Sequence, residues 1–365
     1  MSNPTNPYIA GNPITGTEMF FGRQDVFRFV CETLVGRYQD NAIVLYGGRR
    51  MGKTSVLYQM GRHLDPRYVP VFMDLQGISL EGLGEMLWGI ARRAARALRR
   101  QKGIRLSIPS RDEFASDPGG CFRDGFLDPA LEALGEDHLL LMLDEAARLH
   151  EQVQAGYLEP RVFDLLRSLI QHYPRLNFIF SIGSGLEEMG QEYAVLFNVC
   201  RYRKISFLDR DAAEALITKP VEEHCRYAPG AVECILEVTH GHPYTQLVCN
   251  RLFARWARQG GDKVTVPDVE AVLGEAEEGY TLFSSVFGDW IIAELTDVMA
   301  DAQSYEEWLE ANQNAVQRLS RSACGEVSEI LPQIKAGYRQ FIVDWLSNPQ
   351  TLIGAATLLR SVLGR

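Results

Sequence analysis

IVLYGGRRMGKTSVLYQM, residues 43–60, decides how the rest of the chain is read. Four apolar residues run into two glycines and two arginines, then Gly-Lys-Thr, then a helix-like pattern with apolar Val56, Leu57 and Met60. From Gly47 to Thr54 the spacing is G-x-x-x-x-G-K-[ST], set between a buried-strand pattern and a helix pattern. There the glycines let the backbone wrap phosphates, while successive N–H groups and the helix N-terminus supply positive potential. Gly47, Gly48, Arg49, Arg50, Met51, Gly52, Lys53, Thr54 and Ser55 are the expected binding loop. Lys53 is expected to bridge β- and γ-phosphates, and the Thr54 hydroxyl to ligate Mg²⁺.

Working outward, HLLLMLDE (138–145) supplies the second half of such a site. Its apolar run places Asp144 at the C-terminal end of a strand, where open α/β sheets bind ligands. Asp144 is expected to hold the Mg²⁺ shell, and Glu145 to polarise a water for attack on the γ-phosphate. Three more runs have strand character, AIVLY (42–46), YVPVFMDLQ (68–76) and LNFIFSIGS (176–184), and RKISFL (203–208) is a shorter fifth. Apolar on both faces and separated by helical patterns, they predict a parallel sheet covered on both sides.

The remaining segments set the organisation. Residues 1–18, rich in Asn, Pro, Gly and Thr, read as an extended arm. A helix opens at Gln24 or Asp25 with Phe27, Val30, Cys31 and Leu34 on one face. Residues 84–102 form an amphipathic helix, with Leu87, Ile90, Ala94 and Leu98 opposite Arg92, Arg96, Arg99 and Arg100. Residues 104–128 are turn-rich and read as an ordered loop with a short helix. Beyond 208 the strand signals fade, so the expected division is an α/β core over 19–208, a helical lid over 209–278 and a helical C-terminal domain over 279–365.

Composition excludes several classes. The formal net charge of −10 argues against a surface basic overall, so a nucleic-acid contact would need a local patch. The one dense basic feature, Arg92 to Arg105, reads first as a solvated helix face and second as a contact for DNA or an acidic protein surface. Seven scattered cysteines without a C-x-x-C pair suit thiols in a reducing cytoplasm. No segment has the form of a signal peptide or is apolar for long enough to span a bilayer. The apolar stripe in TLIGAATLLRSVLG (351–364) is expected to pack on the tail domain, a partner or a second copy.

The strand candidate at 68–76, between the phosphate loop and the Asp-Glu strand, resembles the P-loop ATPases that insert a strand there and carry a catalytic glutamate. No N-K-x-D guanine signature is suitably placed, so ATP is preferred to GTP. In detail FFGRQD (20–25), GGRRMGKTSVL (47–57), LDEAARL (143–149) and HGHPYTQLVCNRL (240–252) resemble the AAA+-related STAND ATPases and the neighbouring archaeal-type ATPases. The resemblance covers about residues 6–275 and implies a P-loop NTPase, AAA+-like core plus a helical lid, with nucleotide between the two. It implies that Phe21, Gly22, Arg23 and Pro243 border adenine, that His242 could reach toward the phosphates, and that Ser184, with Ser181 second, reports the γ-phosphate. An arginine finger acting in trans would be Arg201 or Arg203, unless these pair with nearby carboxylates.

The resulting expectation is a cytoplasmic ATPase that hydrolyses slowly and couples ATP or ADP, with Mg²⁺, to homo-oligomerisation or to binding an effector or sensor protein. The alternatives are a DNA-associated AAA+ ATPase and a non-catalytic scaffold stabilised by nucleotide. The chain departs from the family pattern after the lid. No clear strand pairs of a winged helix follow, although GYRQFIVDWL (337–346) is faintly similar to the close of one, and no repeat array follows either.

Overall fold

Strands that bury both faces have no polar alternation, and this sheet follows that rule. The computed structural model describes residues 4–9, 11–35, 41–48, 50–183, 196, 199–239, 241–243 and 245–273. Arg49, Ser184, positions 274–278 of the expected lid and the expected C-terminal domain at 279–365, including 337–346 and 351–364, lie outside the described residues. The chain divides into an α/β unit from Pro13 to Ile205 and a helical unit that joins residues up to Asn12 with those from Ser206 onward.

The α/β unit runs α1 (Gln24–Val35), β1 (Ala42–Tyr46), α2 (Lys53–Met60), β2 (Tyr68–Asp74), α3 (Leu83–Lys102), α4 (Arg111–Ser116), α5 (Pro118–Phe122) and α6 (Asp128–Leu134). It continues with β3 (His138–Asp144), α7 (Ala147–Gln154), α8 (Arg161–His172), β4 (Leu176–Ile182) and β5 (Arg201–Lys204). All five strands are parallel, in the order β2-β3-β4-β1-β5. One face, with Val44, Val71, Leu141, Leu143, Phe178 and Phe180, builds the main core with α3 through α6 and α8. The alternate residues Ile43, Leu45, Leu140, Met142 and Ile179 are buried too. On that second face α2 lies over β2 and β3.

Two expectations are corrected. The turn-rich stretch 104–128 is helical from Arg111 onward, with α4 and α5 followed by a π-turn over Arg123–Leu127. Ser110 and Glu113 form a reciprocal capping box, and Asp117 caps the next helix by accepting from Gly120 N at 3.0 Å. Phe114, Phe122 and Phe126 anchor these short pieces in the core, so burial overrides the Gly and Pro content. The fifth strand is Arg201–Lys204, not 203–208. Ile205 N still bonds to Tyr46 O at 2.7 Å, after which the chain leaves the sheet.

The helical unit contains α9 (Arg210–Thr218), β6 (Arg226–Tyr227), α10 (Ala231–Thr239), α11 (Thr245–Gln259), β7 (Lys263–Val264) and α12 (Val266–Leu273). Leu216, Ile217, Ile235, Val248, Leu252, Phe253 and Val269 fill its core. A two-residue parallel bridge, β6 with β7, is the strand content that the fading apolar runs did not reveal. The early residues of the arm belong here. Tyr8 is buried and its hydroxyl donates to the Ile217 carbonyl, while Asn6 Nδ2 donates to Asn250 O at 2.9 Å and Asn250 Nδ2 to Tyr8 O at 3.0 Å. Cys31, Cys121, Cys200, Cys225, Cys234 and Cys249 are free thiols. No helix among the described residues is long and apolar enough to cross a membrane.

Candidate active site

Parallel strands bring all their C-terminal ends to one sheet edge, and three polar groups meet there on one face. β2 and β3 pair in register from Tyr68 with His138 to Asp74 with Asp144, so the two aspartates stand side by side. Asp74, Asp144 and Ser181 follow the alternation of the face that α2 covers. Ala146 N donates to Ser181 O at 2.8 Å and ties the turn after β3 to β4.

The phosphate loop leaves β1 at Gly47, whose φ is 153°. A Cβ there would stand 2.2 Å from the Ile205 carbonyl oxygen, so the adjoining backbone leaves room for no side chain. Gly47→Ala is expected to cost about 3 kcal/mol of stability, read by denaturant unfolding, from overpacking and strain. Gly16→Ala, in open space, should be neutral to slightly stabilising. Equal stabilities for the two variants would refute the close approach.

Lys53 opens α2, is buried, and folds over its own loop to donate to Gly47 O at 2.9 Å and Gly48 O at 2.8 Å. Its ammonium therefore stands in the concavity that the loop encloses. Thr54 follows, half-buried. The Ser55 hydroxyl accepts from Ile14 N at 2.9 Å, and buried Gln59 donates to Ile14 O at 3.1 Å and Gly16 O at 2.8 Å. The second stretch of the arm is thus stitched to the back of the phosphate-loop helix. From the FFGRQD segment, Arg23 is buried and its Nη2 donates to Met51 O at 3.0 Å. Its carbonyl accepts from Val26 N and Phe27 N, starting α1, with half-buried Phe21 and Gly22 just before it.

Asp144 is 3% exposed, and its Oδ1 has no hydrogen-bond partner among the described residues. A buried carboxylate oxygen without a donor is costly unless a cation or water meets it, so the group fits a Mg²⁺ shell. Such an ion would draw most of its ligands from phosphate oxygens and water, as Mg²⁺ commonly does. The Glu145 carboxyl is pushed above its ordinary range by burial first and then by the charges of Asp144 and Asp74, with Lys53 opposing. Asp144, Lys53 and Asp74 thus all lie within electrostatic reach of Glu145. Ser181 Oγ is buried and without a partner among the described residues.

Backbone strain marks the same place. The non-glycine residues with left-handed backbone among the described residues are Arg23 (φ 70°), Arg50 (φ 64°) and Glu145 (φ 55°). Each costs roughly 1 kcal/mol or more, and such residues cluster at functional sites. All three fall in the phosphate-loop neighbourhood.

The surroundings of the other predicted residues are set within their own units. Arg203 pairs with Asp25 of α1, and its guanidinium lies 5.8 Å from the Phe29 ring centroid, so it is engaged within its own unit. Arg201 is exposed on the edge strand. In the helical unit His242 is buried against Phe207 at 5.7 Å, and half-buried Pro243 follows it. Gly241, at φ 77°, lets the turn before them approach Leu208 O, which a Cβ would meet at 2.5 Å. Asp74 is the residue that sequence reading missed. Its Oδ1 caps the turn at Leu75–Gly77 by accepting from Gln76 N at 2.8 Å. Only the strand register reveals that it flanks Asp144, although its place at the end of an apolar run was a usable signal.

A parallel sheet with this loop between a central strand and its helix defines an α/β P-loop NTPase core of the AAA+-like kind. Neither a protein-family model nor a curated protein sequence matches the chain. Among solved structures, a Walker-type ATPase of Pyrococcus abyssi is similar in fold, with a TM-score of 0.54 at 16% identity over 80% of this chain and 79% of that one. The Orc1 protein of Aeropyrum pernix in complex with DNA gives 0.47 at 17% identity, over 87% and 85% of the two chains. The RuvB Holliday junction branch migration motor of Thermotoga maritima gives 0.43 at 12%, over 70% and 69%. At such identities a likeness speaks to the fold alone.

Proposed function

We propose that the protein binds ATP with Mg²⁺ and hydrolyses it slowly, acting in the cytoplasm as a STAND-like regulatory switch whose nucleotide state governs self-association or the binding of a partner protein. The observation that carries the reading is the convergence at one sheet edge of buried Lys53, an Asp144 carboxylate oxygen with no partner among the described residues, and the strained, partly buried Glu145. The loop amides and Lys53 hold the β- and γ-phosphates, and Thr54 and Asp144 hold the metal shell. Mg²⁺, when bound, neutralises charge developing on the phosphate oxygens. Glu145 orients a water in line with the γ-phosphorus and takes its proton as the new P–O bond forms and the bond to the β-phosphate oxygen breaks. The elevated affinity of Glu145 for protons suits a base at neutral pH. Phe21, Gly22 and Arg23 are assigned to the adenine side through the resemblance, supported by the bond from Arg23 to the loop.

Slow turnover is expected because a switch resets rather than pumps. The test is the mass in solution, by light scattering, with ADP, with ATP and with a non-hydrolysable ATP analogue. A larger assembly with ATP and the analogue than with ADP is the expected result. The same mass in all three, together with unchanged partner capture, would defeat the switch reading while leaving ATP binding open to calorimetry.

A further inference from the structure

The arginine-rich half of α3 takes no part in the site just described, and its position shows why. α3 runs antiparallel to the edge strand β2. Arg93 Nη2 reaches Gly77 O at 3.5 Å beyond the end of β2, Gln101 Nε2 reaches Pro70 O at 2.9 Å, and Lys102 Nζ reaches Pro66 O at 3.1 Å before its start. The basic end thus lies at the sheet edge opposite the phosphate loop, about 20 Å away along a seven-residue strand.

We propose that Arg96, Arg99, Arg100 and Arg105 form a docking surface for the backbone phosphates of duplex DNA. All four are exposed, and none of their side chains has a carboxylate or hydrogen-bond partner among the described residues. From Met86 to Ser110 the chain contains no Asp or Glu, although it holds 47 acidic residues overall. A solvated helix face is usually interlaced with opposite charges at i, i+4; here Arg92, Arg96 and Arg100 repeat at that spacing with like charge, which weakens a helix. The helix dipole accounts for Arg99, Arg100 and Lys102 in the last turn, but not for Arg92, Arg93 and Arg96 before it. A phosphate polymer relieves the repulsion along the whole stripe, whose arginines recur about every 6 Å, one turn at a time.

The surface fits a duplex rather than a single strand. Its neighbouring aromatic, Trp88, already carries Arg92 at 4.5 Å and Arg111 at 5.8 Å over its ring. No other aromatic occurs between Trp88 and Phe114, so the stripe itself offers no ring on which unpaired bases could stack. The contacts proposed are to phosphates, which carry no sequence information, so binding is expected to be sequence-independent.

Fluorescence anisotropy of the full chain with a labelled duplex of arbitrary sequence tests this. Binding at low salt should weaken steeply, with log K falling against log salt at a slope of about −3 to −4, as four phosphate contacts require. The triple variant R96E/R99E/R100E should bind about 30-fold more weakly and flatten that slope. The control R161E/R210E, on exposed arginines elsewhere that pair with Glu159 and Glu233, should stay within about twofold. An unchanged thermal melt of the triple variant shows that the effect is not unfolding. The proposal is overturned if no salt-dependent duplex binding occurs, if the triple variant binds like the wild type, or if single strands or duplex RNA bind more tightly than duplex DNA. It is equally overturned if the duplex is ignored while arginine-dependent self-association or binding of an acidic protein appears. None of these outcomes depends on ATP binding.

Discussion

Lys53→Ala is expected to raise the Kd for ATP with Mg²⁺ about 100-fold, roughly 3 kcal/mol, as measured by calorimetry. The magnitude follows from the setting. Lys53 as a residue is 8% exposed, and its ammonium is held by two loop carbonyls. Bonds from a cation to phosphate oxygens are stronger than neutral ones, and this site shields them from bulk water. Removing the amine leaves the phosphate charge to the loop amides alone. A Kd within threefold of wild type would remove Lys53 from phosphate binding and the proposed function with it.

The second large effect separates chemistry from binding. Glu145→Gln should leave the Kd for ATP within a fewfold while lowering kcat by about 10²–10⁴, the usual contribution of a positioned general base. In the wild type, the rate should rise with pH as Glu145 loses its proton, with a midpoint displaced upward from that of an ordinary glutamate. Burial is the first cause, the charges of Asp144 and Asp74 add to it, and Lys53 offsets part. Stability should move the opposite way. A carboxyl whose pKa is raised on folding contributes stability below the unfolded pKa, and this is lost as pH rises through the folded one. Without bound nucleotide, Glu145→Gln should therefore melt about 2 °C higher at neutral pH, the gain fading toward about pH 4. A variant that hydrolyses ATP at the wild-type rate would assign the base elsewhere, and an absent or pH-independent gain in melting temperature would refute the buried charge.

How much of this could be read from residues alone divides along physical lines. The strand–loop–helix around Lys53 was legible because its signals are local: four apolar residues, fixed glycine spacing and an apolar helix stripe all point to one structure. The α3 faces were legible for the same reason, with Leu87, Ile90, Ala94 and Leu98 buried and Arg92, Arg96, Arg99 and Arg100 exposed. Asp74 was not, because its meaning depends on pairing Tyr68 with His138 seventy residues away. The short helices between Arg111 and Leu134 were hidden by a Pro-Gly-Gly stretch, and they persist through their buried phenylalanines and leucines and the caps at Ser110 and Asp117. The partner of Arg203, Asp25, lies 178 positions away, so spacing left the choice between a trans finger and a local pair open.

The early contacts of the arm also bear on how the protein can be dissected. Because Asn6 and Tyr8 complete the helical unit from the far end of the chain, that unit is discontinuous in sequence. A fragment beginning at Ser206 would carry a slot beside Ile217 without the Tyr8 ring that fills it, and Asn250 would lose both the Asn6 side-chain donor to its carbonyl and the Tyr8 carbonyl that accepts from its amide. Such a piece invites aggregation unless a peptide spanning Asn6 to Asn12 is supplied in trans or spliced back through a short linker.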